Sequence, residues 1–188
     1  MTNAIIKGSL GAIARASNKS IAETFASADC IIIIDTSGSM QSKDSRDDRS
    51  RYDVACEELA NIQNSMPGKI AVLAFSDSVI FCPNGQPYNF GGSTDLAGAL
   101  KYVRVADVPG MRFILISDGE PNDEKHALSE ARLYKNRIDV IYVGPELEQS
   151  GRDFLNRLAN TTGGKYVTVD RAKELAASVE RLLLDAGV

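Results

Sequence analysis

The chain has 188 residues, of which 44% are apolar and 24% charged, and its formal net charge is −4. That length supports one domain with a sizeable core, and the composition is ordinary for a globular protein. The mild acidity and the absence of a long basic run argue against non-specific nucleic-acid binding, and no apolar run approaches the roughly 20 residues of a membrane span.

Residues 1–28 predict a helical arm of one or two pieces, with Ile5, Leu10, Ile13, Ile21 and Phe25 available for buried contacts. Ser20 and Glu23 have capping-box spacing, which starts a helix near Ile21. Lys7 and Arg15 interrupt any apolar h-region, so a secretory signal is not expected. The arm carries no chemistry, and it is expected to pack on the domain at 29–188 or on a partner.

The continuous run Cys30–Ile34 fits a strand buried on both faces of a helix-covered parallel sheet. Residues 52–66 follow at helical spacing, with only Gln63 breaking the apolar stripe. Strands are expected at 69–77 and, as a tight antiparallel return, at 79–82. The stretch 83–92 is a loop by its prolines and glycines. A helix over 94–105, a strand over 112–117, a helix over 123–136 and a strand over 139–144 come next. Ser150 and Asp153 repeat the capping-box spacing ahead of another helix, and a strand at 165–169 and a helix at 171–186 close the chain. This alternation predicts a three-layer α/β fold with a mostly parallel sheet.

Cys30, Cys56 and Cys82 all fall in apolar-patterned segments without CxxC spacing, so buried free thiols and a cytoplasmic location are expected. With one histidine in the chain, a structural zinc site is not. His126 sits in a polar helical segment and is expected at the surface.

In such folds ligands bind at the carboxyl ends of strands. After the first strand stand Asp35, Ser37 and Ser39. After the Gly-rich loop stand Ser93, Thr94 and Asp95, and after 112–117 stands Asp118. Alternate residues of an extended turn point the same way, so Asp35, Ser37 and Ser39 can converge on one point, and Gly38 eases the turn between the serines. Carboxylates and hydroxyls without nitrogen or sulfur suit Mg²⁺, Mn²⁺ or Ca²⁺.

"DTSGS" at 35–39, then "GGSTDLAGAL" at 91–100, then "LISDGEP" at 115–121 resembles the von Willebrand factor type A domain, from about residue 29 to 186. The resemblance is to intracellular bacterial-type members with an intact metal-ion-dependent adhesion site. It implies a Rossmann-like fold with a six-stranded sheet in the order 3-2-1-4-5-6 and one antiparallel edge strand. Carried over by position, it implies metal binding by Asp35, Ser37, Ser39, Thr94 and Asp118. The serines, and sometimes the threonine, would bind directly, and the aspartates directly or through water. It further implies Mg²⁺, with Mn²⁺ or Ca²⁺ as substitutes, and a protein partner whose Asp or Glu completes the coordination shell. AAA+ ATPase-associated or stress-response assemblies are the partners the class suggests. A movement of helix 171–186 on ligand binding occurs in some relatives.

The expectation is therefore a divalent-metal-dependent protein-binding module, not an enzyme, with neither nucleic acid nor membrane as partner. The rivals are a Mg²⁺- or Mn²⁺-dependent hydrolase or phosphatase and an assembly subunit with a non-functional metal site. Against the first, Ser37 replaces the second acid of an Asp-x-Asp phosphatase motif, and neither a Gly-Lys phosphate loop nor a GxSxG elbow occurs. The cluster at 43–51 lacks the Gly and Glu of an EF-hand loop. Lys43, Arg46, Arg49 and Arg51 on one side, with Glu120, Asp123 and Glu124 on the other, are expected to form a rim of mixed charge around the site.

Overall fold

The computed structural model describes residues 5–44, 49–88, 90–118, 121–144 and 149–168. Among the described residues six strands form one sheet: β1 (Cys30–Asp35), β2 (Ile70–Phe75), β3 (Val79–Phe81), β4 (Arg112–Ser117), β5 (Ile138–Tyr142) and β6 (Tyr166–Thr168). Their order is β3-β2-β1-β4-β5-β6, and only the β2–β3 pair is antiparallel. The sheet is the mixed six-stranded one expected from the sequence.

All six residues of β1 are buried, without alternation. The reason is that both faces are covered. Ile31 and Ile33 join one core with α4 (Leu96–Val103), α5 (Glu124–Ala131) and α6 (Gln149–Thr162). Ile32 and Ile34 join the other with Leu59 and Ile62 of α3 (Arg51–Ser65). Each isoleucine so enclosed contributes on the order of 1.5–3 kcal/mol by leaving water.

The arm forms α1 (Leu10–Ser17) and α2 (Ile21–Phe25), and the Ser20–Glu23 capping box is present with both of its hydrogen bonds. Leu10 is buried, whereas Ile5 is exposed. The segment before α1 and the first turn of α1 are fixed by backbone bonds, Ile6 to Asn84 O at 3.0 Å, Gly11 to Pro83 O at 2.7 Å and Gly68 to Gly8 O at 3.0 Å. A Cβ on Gly8 would stand 1.7 Å from Gln63 O, so the chain can approach α3 this closely only with glycine there. Gln63, the break in the α3 stripe, is fully buried and donates from Nε2 to Gly85 O at 2.9 Å. It is a polar anchor for the 83–85 turn.

Three expectations change. The helix expected over 123–136 ends at Ala131, because Asp107 accepts from the amides of Lys135 and Asn136 and turns the chain. Ser150 is not a cap, since α6 already begins at Gln149. The 94–105 helix tightens into a 3-10 turn at Arg104–Ala106. The expected helix at 171–186 lies outside the described residues. Among the described residues no helix is long and apolar enough to cross a membrane. The three cysteines are buried and free.

The β1–β2 and β1–β4 registers bring Asp35 beside Phe75 and Ile34 beside Ile116. The carboxyl ends of β1, β2 and β4 therefore share one edge. The chain leaves β1 toward β2 on one side and later returns to β4 on the other, so this edge is the switch point of strand order.

Candidate metal centre

The loop after β1 is pinned before it turns. Thr36 donates from its amide (2.8 Å) and its hydroxyl (2.9 Å) to Phe75 O. This pair of hydrogen bonds to β2 fixes the neighbouring Asp35, whose carboxylate is fully buried. Oδ1 accepts from the Ser37 amide at 2.8 Å, and Oδ2 accepts from the Ser117 hydroxyl at 2.6 Å. Burial pushes the Asp35 carboxyl up to about 6; the hydrogen bonds from Ser117 and Ser37 work against that rise, and the nearby charge of Asp118 adds to it.

Ser37 is extended, and a 3-10 turn at Gly38–Gln41 follows. The two serine hydroxyls stand 3.2 Å apart, and Ser39 Oγ donates to Asp118 Oδ1 at 2.9 Å. The other oxygen of Asp118 accepts from Arg51 Nη1 at 2.6 Å. Asp35, Ser37, Ser39 and Asp118 are thus linked in one network across two loops, with Asp35, Ser37 and Asp118 buried and Ser39 at the surface.

Thr94 joins through its backbone. Its amide donates to Asn122 Oδ1 at 3.0 Å, and its carbonyl accepts from the Asn122 amide at 3.0 Å. The Gly91 amide donates to Thr36 O (3.1 Å) and the Gly38 amide to Gly92 O (3.2 Å), tying the Thr94 loop to the first motif. Gly92 has φ 86° and lies against the Asp77 carboxylate, so only glycine suits both the conformation and the contact. Asp77 in turn accepts from the amide and hydroxyl of Ser93.

Four residues of this network are not apparent from the motif. Ser117 orients Asp35, Asn122 holds Thr94, and Arg51 with Asp44 braces Asp118. Ser117 is the last strand residue before Asp118, and that position is the one signal that could have found it. Arg51 departs from the expected basic rim: it is buried, points inward and is not a rim residue. Arg49 pairs with Glu57, Glu124 pairs with Arg157, and Asp123 caps α5. Arg46 and Glu120 lie outside the described residues. His126 is exposed, as expected, beside Glu130.

Among the described residues no three His, Cys, Asp or Glu side chains gather at one point. The donor set is instead two carboxylates and hydroxyls, which is the chemistry of a hard cation. The spacing agrees. Adjacent ligands of an octahedral Mg²⁺ at roughly 2.1 Å lie about 3 Å apart. The Ser37–Ser39 and Ser39–Asp118 separations, 3.2 and 2.9 Å, match that edge.

No protein-family model and no curated protein matches the sequence. Solved structures do. An aerotolerance-related membrane protein of Bacteroides fragilis, crystallised with multiple mutations to serine, superposes with a TM-score of 0.65 at 16% identity, over 83% of this chain and 98% of that one. A von Willebrand factor type A protein of Catenulispora acidiphila gives 0.57 at 18% identity, over 81% of this chain and 41% of that one. The manganese-loaded TRAP protein of Plasmodium vivax gives 0.55 at 18% identity, over 83% and 73%. The fold is the Rossmann-like fold of von Willebrand factor type A domains.

Proposed function

We propose that the chain is a protein-binding module whose strand-end site holds a divalent cation, Mg²⁺ or Mn²⁺, for completion by a carboxylate of a partner protein. The observation that carries this reading is the chain Ser37 Oγ, Ser39 Oγ, Asp118 Oδ1, whose two separations are those of neighbouring ligands on a small octahedral ion. These three oxygens would meet the cation. Asp35, with both oxygens engaged by hydrogen bonds, would supply negative charge and hold the Ser37 backbone. Thr94 would approach on the loop fixed by Asn122. The bound ion supplies a Lewis-acidic point for an anionic oxygen, and the protein supplies its position and charge balance.

A neighbour of the same fold is manganese-loaded, which supports a divalent ion as the ligand of this chain. We read the site as one for binding and not turnover, and place the module in a cytoplasmic assembly, with Asp35, Ser37, Ser39, Thr94 and Asp118 as its metal site. The test is capture of partners by wild type and by Asp35→Ala, each with Mg²⁺ and with EDTA. A partner held only by wild type with Mg²⁺ is the expected result. A partner held alike in all four conditions would contradict metal bridging.

A further inference from the structure

Arg51 is the first residue of α3, yet its side chain is only 7% exposed. Nη1 donates to Asp118 Oδ2 at 2.6 Å, and that carboxylate is fully enclosed. Nε donates to Asp44 Oδ1 at 2.8 Å, and Nη2 donates to Asp44 Oδ2. Asp44, 47% exposed, grips the fork from the solvent side, where the higher effective dielectric weakens its reach into the enclosed part of the site. The guanidinium is therefore aimed at the one carboxylate whose other oxygen faces the serine hydroxyls. Arginine remains charged at any ordinary pH, so this positive charge is permanent.

We propose that Arg51 is a built-in counter-charge of the site: it weakens cation binding and leaves the enclosed charges of the loaded site net positive, set to take an anionic oxygen. The inference rests on the metal reading above. Asp35 and Asp118, both ionised, would cancel a divalent ion, and a site so neutralised has little pull on a further carboxylate. Arg51 satisfies the Asp118 oxygen turned away from the serines, which offsets one of those negative charges. The same arrangement places a like charge near the cation. That repulsion weakens cation binding, and the opposite charge of Asp44 on the guanidinium offsets part of it. The trade is cation affinity against affinity for the anionic partner oxygen.

A merely structural Arg51 predicts the opposite sign, because removing a brace from Asp118 would loosen the cation. Calorimetric titration of Mn²⁺ into wild type, Arg51→Gln, Arg51→Met and Arg51→Lys separates the two. Acetate is then titrated into each Mn²⁺-loaded protein as the carboxylate probe. The expected result is Mn²⁺ bound about tenfold more tightly, or about 1.4 kcal/mol, by the Gln and Met variants. Their hold on acetate should be weaker, and the Lys variant should stay near wild type in both titrations. The Met variant keeps the aliphatic bulk, so misfolding of the Gln variant leaves the prediction readable. Neutral variants that bind Mn²⁺ as well as wild type or less tightly would overturn this role and leave the metal site standing. Wild type that binds no Mn²⁺ would overturn the metal reading, and this inference with it.

Discussion

Within β1, Ile31 to Ile34 are enclosed apolar side chains with a packed helix layer on each face. At its carboxyl end the same strand carries a buried carboxylate, Asp35, and then hydroxyls at Ser37 and Ser39. Asp35 shares the strand's register and its burial, Ser37 is buried after it, and Ser39 reaches the surface. The two regions differ in what burial does. In the strand interior every enclosed methylene stabilises the fold. At the edge, enclosure raises the free energy of each ionised group, and only hydrogen bonds and Arg51 limit the cost. The interior thus acts as a stiff base that holds an edge which is expensive when metal-free. An edge of that kind has reason to accept a cation.

The largest effect should come from the interior. Ile33→Ala removes a fully buried side chain between the α4–α6 layer and its strand neighbours. It should cost about 2–5 kcal/mol in denaturant unfolding. A loss under about 1 kcal/mol would mean that β1 is not the packed base described.

A smaller effect of opposite sign is expected at the edge. Asp35→Asn keeps the shape and can keep both hydrogen bonds while removing the buried charge. In chelator at pH 7 it should stabilise the fold by an amount on the order of 1–3 kcal/mol. The pH dependence follows the same sign. Asp35 has a folded pKa of about 6 against an ordinary value of 3.8, so the folded chain keeps its proton to higher pH. Its contribution is fully present below about pH 4 and is lost as pH climbs through 6. Unfolding curves of metal-free wild type across that window should show this decline, and Asp35→Asn should lack it. Equal slopes for the two proteins would blunt the comparison between interior and edge.

How far the sequence alone reaches differs between the same two regions. β1 was legible because an uninterrupted β-branched run has few other uses, and Asp35, Ser37 and Ser39 because alternation makes them converge. The antiparallel return at Val79–Phe81 was legible from the short connection before it. Arg51 was not, since a mixed-charge cluster does not reveal which of its charges turns inward; that depends on Asp118, distant in sequence. The early end of α5 has the same origin, because Asp107 captures its following amides across the fold. Ser150 shows the converse error: a local capping pattern that the helix start at Gln149 overrides. Local spacing thus located the strand-end carboxylate and hydroxyls, and long-range contacts determined what surrounds them.

The most direct test of the central claim is a crystal structure of the chain grown with Mn²⁺, read by anomalous scattering. The account predicts one ion within bonding distance of Ser37 Oγ and Ser39 Oγ, beside Asp118, with a coordination position open to solvent. An ion bound elsewhere, or this edge without an anomalous peak at saturating Mn²⁺, would contradict it.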